Sequence, residues 1–161
     1  IIGMTYAELG GSEYYKLNSV IGNSVPKVNA QGAKKLFDAI TKAIDAGYIK
    51  SCHDLSEGGL GVAAAEMALS SKYGMELQLD KVPTKVNRND LIMFSESNSR
   101  FLVEVPEDSK SKFEKLMQTL THANIGKVNS SSNLEIISND KSIVSVNNEM
   151  LRNAWKKTFG G

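Results

Sequence analysis

The chain has 161 residues, 41% hydrophobic and 23% charged, the balance of one globular domain large enough to bury a core. Lysine plus arginine number 19 against 18 aspartate plus glutamate, so no global field recruits nucleic acid or anionic lipid, and an anionic ligand has to be held locally. A single cysteine excludes an internal disulfide framework and a multi-cysteine zinc site, and the absence of a long apolar run or a signal pattern gives the expectation of a cytoplasmic protein without nucleic-acid or membrane partners.

Ile1-Ile2-Gly3-Met4 reads as the tail of a strand, and the chain as a piece of something longer. After Gly10-Gly11, Ser12 caps a short helix through Tyr14, Tyr15 and Leu17, and 21–28 is a loop around Pro26. Asn29 is an N-cap for a helix with Leu36, Phe37, Ile40 and Ile44 at helical spacing, stopped by Gly47. Residues 48–52 form a short strand, and the helix after it carries Leu60, Ala63, Ala64, Met67 and Ala68 on one face until Gly74. Residues 75–79 alternate as a strand closed by Pro83. Residues 90–94 make one helical turn, and 101–105 a buried strand. Pro106, Glu107 and Asp108 open a helix with Phe113, Leu116, Met117 and Leu120 on its apolar face. Strands follow at 125–128, 134–137 and 143–146, the last two as a hairpin through 138–141, and Asn147 starts a final helix offering Met150, Leu151, Ala154 and Trp155 for packing. The pattern is α+β: a mixed β-sheet packed with helices, in a single domain over 1–161.

The candidate chemistry lies at the strand–turn–helix junction Ser51 to Leu60. The first amides of a helix lack intrahelical partners and carry the positive end of its dipole, and Gly58-Gly59 lets a phosphate approach the backbone, with Ser56 beside it. Asp54, just upstream, is a hard carboxylate suited to Mg²⁺ in the company of water and phosphate. Cys52 and His53 alternate in a strand and so cannot form a thiolate–imidazolium pair, which leaves Cys52 as a buried structural thiol. His53 is either a ligand contact or a hydrogen-bonded histidine closing the strand. His122, in a polar connection, belongs on the surface. A second cluster, Ser95-Glu96-Ser97-Asn98-Ser99-Arg100, stands between apolar 92–94 and a core strand. It offers polar contacts to a polyol or amide, or else it is a capped turn with Arg100 salt-bridged to Glu96.

Three stretches then carry a resemblance: Glu8 to Tyr14, His53 to Leu60 with Ala64 to Ala68, and Phe94 to Phe101. Together they resemble the last domain of phosphoribosylformylglycinamidine synthase subunit II, the C-terminal domain type shared across the aminoimidazole ribonucleotide synthase superfamily. The histidine-aspartate-glycine motif alone also occurs in hydrogenase-maturation and selenophosphate enzymes. The resemblance implies an ATP- and Mg²⁺-dependent amidotransferase of purine biosynthesis that turns formylglycinamide ribonucleotide into the amidine with ammonia from glutamine. It further implies upstream ATP-binding domains in the same enzyme, a glutaminase subunit and a small bridging subunit as partners. Such enzymes contain two copies of an ATP-binding half and a partner half, and this chain resembles the second partner half. In the first copy the aspartate matching Asp54 ligates magnesium and the triplet matching Glu96-Ser97-Asn98 contacts substrate; here His53 and Asn98 each stand where that copy has glutamine. The implied ligand contacts are His53, Ser56, Gly58, Gly59, Glu96, Ser97 and Asn98, with Asp54 on the metal and no catalytic residue, so the isolated domain is expected to be inactive. The loops then face the pseudo-equivalent site, line an internal nucleotide pocket, or brace the catalytic half. The opposing expectations are a non-catalytic association domain and the C-terminal half of a hydrogenase-maturation-like carbamoyl dehydratase.

Overall fold

A computed structural model describes residues 1–157. Its elements, in chain order, are α1 (Glu13–Leu17), α2 (Ala30–Asp45), β1 (Ser51–Asp54), α3 (Gly59–Leu69), β2 (Gly74–Gln78), α4 (Asn89–Phe94), β3 (Phe101–Glu104), α5 (Lys110–Met117), β4 (Gly126–Asn129), β5 (Asn133–Ser138), β6 (Lys141–Asn147) and α6 (Asn148–Lys157). The expected α+β class holds, but the strands divide between two sheets. β1 and β3 form an antiparallel pair, and the other strands run in the order β4-β2-β5-β6, parallel only between β2 and β5.

Local chemistry explains most element boundaries. Ser12 Oγ accepts from the Tyr15 amide at 3.2 Å and Asn29 Oδ1 from the Gly32 amide at 3.0 Å, each meeting an orphan donor of a helix start. Gly47, at φ 71°, supplies the left-handed stop after α2. The β5–β6 hairpin turns through Asn139 and Asp140 at φ 49° and 59°, the two positive values that a two-residue turn needs to match strand twist. Asn148, the first residue of α6, donates from Nδ2 to the carbonyls of Ala68 (3.0 Å) and Tyr73 (2.7 Å), so the start of one helix closes the end of α3.

Two apolar cores result. The larger joins Leu60, Ala63 and Ala64 of α3 to Met75 and Leu77 of β2 and to Leu134 and Ile136 of β5, with the alanines letting the helix lie close on the sheet. The smaller gathers Leu36, Ile40 and Ala43 of α2 and Phe113 and Met117 of α5 around Ile2. A fully buried side chain of this size stabilises the fold by roughly 1.5–3 kcal/mol, so each core is a substantial anchor for the loops between them.

Several expectations shift. The first strand begins at Ser51 rather than 48, because Tyr48 and Ile49 pack against the α2–α5 core and the Tyr48 amide still bonds Ala43 at the helix end. Cys52 is exposed rather than buried, since alternation along β1 turns it outward; partial desolvation and the Asp54 charge push its thiol up, away from a reactive thiolate. The buried face of α2 is Ala33, Leu36, Ile40 and Ala43, leaving Phe37 and Ile44 about half exposed. His122 is half-buried, with its ring edge-on to Phe113 and its Nδ1 on the Leu120 carbonyl at 3.0 Å. Among the described residues no helix is long and apolar enough to cross a membrane.

Candidate functional site

The two motif stretches meet at the start of α3. Glu96 Oε1 accepts from the Gly58 amide at 2.9 Å and from the Glu13 amide, at the start of α1, at 3.3 Å. A carboxylate from the chain itself therefore lies on the positive ends of two helices, the charge and geometry such an end favours. Gly58 is the N-cap of α3 at φ 75°, and Gly59 follows at φ 58°. A Cβ on Gly59 would stand 2.2 Å from the Ser95 carbonyl oxygen and 2.9 Å from that of Met93, so this glycine is required where α3 presses on the end of α4.

The loop from Ser95 to Arg100 is stitched to residues 5–8. Ser95 Oγ donates to the Tyr6 carbonyl at 2.6 Å, Ser97 Oγ accepts from the Tyr6 amide at 3.1 Å, and the Glu96 amide donates to the Glu8 carbonyl at 3.0 Å. Arg100 is 1% exposed, and the expected salt bridge to Glu96 is not what holds it. Its Nε donates to Ser97 O at 2.9 Å, Nη1 to Thr5 Oγ1 at 3.0 Å and Nη2 to Ser95 O, so it is held chiefly by neutral acceptors that satisfy its fork. Burial lowers the guanidinium to about 10, while the Glu8 and Glu96 charges pull it back up; it stays charged at neutral pH. A buried cation that knots its own loop to the first residues of the chain gives the polar cluster a fixed shape.

The remaining candidates divide by exposure. His53 turns toward α3: Nε2 lies 2.9 Å from Glu66 Oε2 and Nδ1 lies 2.6 Å from the Asp54 carbonyl oxygen. Both ring nitrogens thus face oxygen acceptors, and His53 ties β1 to α3. Its Nδ1 is 3.9 Å from Asp54 Oδ1, too far for a hydrogen bond, as strand alternation requires. The Asp54 carboxylate is 67% exposed, and Ser56 and Asn98 are exposed with it, whereas Ser97 is buried. Register places Asp54 opposite Phe101 and the Leu55 amide on the Arg100 carbonyl, so the end of β1 and the exit of the loop are neighbours. The structure thus brings Gly58, Gly59 and Glu96 into one contact set and leaves Asp54, Ser56 and Asn98 at the surface.

As a magnesium site, Asp54 supplies one hard oxygen. Among the described residues no group of three or more histidine, cysteine, aspartate or glutamate side chains is placed to hold a metal. One surface carboxylate suits Mg²⁺ when water and phosphate oxygens complete the octahedron. The chemistry and the exposure of Asp54 fit one ligand of such a metal and no more.

Thr5, Tyr6 and Glu8 were not legible as part of this cluster from the sequence. The nearest signal is polar Thr5 and Glu8 preceding Gly10-Gly11 in an otherwise apolar opening, both of which prove buried.

Residues 1–139 match the family described as AIR synthase related protein, C-terminal domain. Phosphoribosylformylglycinamidine synthase subunit PurL of Methanococcus aeolicus is 32% identical over 160 residues, 99% of this chain and 21% of that protein. The chain spans about a fifth of the length of the curated relatives it matches. A solved structure of Thermotoga maritima PurL complexed with FGAR superposes with a TM-score of 0.80 at 19% identity, over 93% of this chain and 26% of that one. The T. maritima protein complexed with ATP gives 0.73 at 20% identity, over 93% and 24%.

Proposed function

The chain belongs to the family of AIR synthase related proteins, C-terminal domain, and on that premise we propose that it is the last domain of a formylglycinamide ribonucleotide amidotransferase, the ATP-dependent glutamine-using ligase of purine biosynthesis. The observation that carries this reading is the alignment of 99% of the chain, at 32% identity, with a protein named phosphoribosylformylglycinamidine synthase subunit PurL. The loop geometry adds to it. Asp54, Ser56 and Asn98 are exposed in the two segments that Glu96 joins at the start of α3.

In this reading an upstream ATP-binding domain of the same polypeptide covers those residues, and ATP phosphates and Mg²⁺ lie between the two. Asp54 would hold the metal through its carboxylate, a hard oxygen suited to Mg²⁺. Mg²⁺ held there would supply neutralisation of phosphate charge. Ser56 and Asn98 hydrogen-bond polar groups of the ligand, and the Gly58 and Gly59 bend, its end met by Glu96, sets where Ser56 stands. His53, Glu96 and Ser97, each committed to a protein partner, fix where the exposed three stand. Ammonia arrives from a glutaminase subunit through a small bridging subunit, in the cytoplasm.

One observation favours a second reading, that the domain braces the enzyme without touching ligand: the Gly58 amide is already taken by Glu96. Asp54→Asn in the intact enzyme separates the two. A shared site predicts a fall of tenfold or more in turnover, partly recovered by raised Mg²⁺, with unfolding unchanged. A brace predicts turnover and Mg²⁺ dependence like those of the parent enzyme.

A further inference from the structure

Among the described residues nothing hydrogen-bonds the Asp54 carboxylate; the nearby His53 Nδ1 is 3.9 Å from Oδ1. Where those oxygens stand is therefore set by the main chain of Asp54. That main chain is braced on one side by the sheet. The Leu55 amide donates to the Arg100 carbonyl at 2.9 Å, which makes these two a hydrogen-bonded pair. By the alternation of an antiparallel ladder, the N–H and C=O of Asp54, opposite Phe101, then point away from β3. Among the described residues β1 has no second neighbouring strand, so the Asp54 carbonyl is an acceptor at a free edge.

The imidazole of the preceding residue meets that acceptor. His53 Nδ1 lies 2.6 Å from the Asp54 carbonyl oxygen, and Nε2, at the far end of the ring, lies 2.9 Å from Glu66 Oε2. The ring is pinned at both ends, between the edge of β1 and the body of α3. Glu66 is well placed to act as the fixed end. It rides on a helix whose Leu60, Ala63, Ala64 and Ala68 are buried in the larger core, while its own side chain keeps 38% exposure. In many metal sites a carboxylate orients a histidine that itself ligates the metal. Here the histidine reaches the backbone of the candidate ligand instead.

We propose that Glu66 is a positioning residue for Asp54: a carboxylate on the core helix holds the His53 ring, and the ring holds the peptide that carries the candidate metal ligand. The relay rests on the reading of Asp54 as a magnesium ligand. It acts through hydrogen bonds, so an oxygen acceptor of the same reach at position 66 preserves it.

Mn²⁺ binding to the intact polypeptide in the presence of ADP, followed by loss of the free-ion EPR signal, tests the relay without turnover. Asp54→Asn defines the class of site to be scored, as the one it weakens. Glu66→Ala weakens the same class by about tenfold or more, leaves any other class unchanged, and adds nothing in the Asp54→Asn background. Glu66→Gln, which keeps the oxygen acceptor, recovers most of that loss. The side chain is partly exposed, so truncating it opens no buried cavity, and urea unfolding of each variant confirms that the fold is kept. A merely structural role predicts a loss shared by every class of site and still present in the double variant, and that result overturns the proposal. So does a Glu66→Gln variant no better than Glu66→Ala. Asp54→Asn that weakens binding beside a Glu66→Ala variant within about twofold of the parent overturns the relay alone. An Asp54→Asn variant that binds Mn²⁺ like the parent fails the metal reading, and the relay with it.

Discussion

Gly59→Ala isolates the close approach on which the site is built. Two costs add at this position. An alanine at φ 58° is strained by about 1–2 kcal/mol, and its Cβ, 2.2 Å from the Ser95 carbonyl oxygen and 3.1 Å from the Phe94 carbonyl carbon, forces backbone rather than a flexible side-chain tip to retreat. Overpacking of that kind adds about 1–3 kcal/mol, for a total of about 2–5 kcal/mol. Gly47→Ala is the control, because its φ is 71° and nothing lies within 4 Å of the added Cβ; only the strain of about 1–2 kcal/mol remains. With a urea dependence near 2 kcal/mol per molar, the Gly59 variant loses about 1–2.5 M in unfolding midpoint and the Gly47 variant about 0.5–1 M. Equal shifts at the two positions, with slopes unchanged, would refute the claim that α3 and the end of α4 touch through a missing side chain. A glycine kept only for phosphate approach predicts that equality.

Arg100→Met removes a buried charge but strands the Ser95 and Ser97 carbonyls and the Thr5 hydroxyl. At about 1–3 kcal/mol for each unsatisfied group, partly relieved by water, the expected loss is about 3–5 kcal/mol in urea unfolding, and a loss under about 1 kcal/mol contradicts the knot. At Asp90 partial burial pushes the carboxyl up, but hydrogen bonds from Arg88 Nη2 and Tyr14 Oη (3.0 Å) and the Arg88 charge outweigh it, holding the group below its ordinary range. A depressed folded value means that this tie of α1 to α4 contributes fully above the unfolded carboxylate value near ~4 and fades as pH falls through the folded one. The stability difference between the parent and Asp90→Asn should therefore shrink between about pH 6 and about pH 3; a difference that is flat or grows on acidification contradicts the assignment.

What could be read from the sequence was local. Ser12 and Asn29 cap helices, Gly47 ends one, and Asn139-Asp140 turns a hairpin because each acts within three or four residues of itself. The junction at 51–60 and the cluster at 95–100 were visible for the same reason, as polar runs set against apolar ones. Their union was not, since Glu96 reaches Gly58 across 38 positions and Arg100 reaches Thr5 across 95. No periodicity encodes such a pair, and a guanidinium reads as surface until its acceptors are placed around it. The outward turn of Cys52 followed from strand alternation once the strand began at Ser51, three residues later than the apolar pattern suggested. The split into two sheets was likewise unreadable, because pairing joins residues far apart in the chain, Ser51 with Glu104 in one sheet and Met75 with Leu134 in the other.

The proposed function has this domain work inside a larger amidotransferase. The direct measurement is ADP formation by the intact polypeptide given formylglycinamide ribonucleotide, ATP, Mg²⁺ and ammonium, beside the 161-residue chain under the same conditions. Substrate-dependent ADP formation by the former and none by the latter is the predicted result. An intact polypeptide that binds ATP yet forms no ADP in response to that substrate would contradict the account.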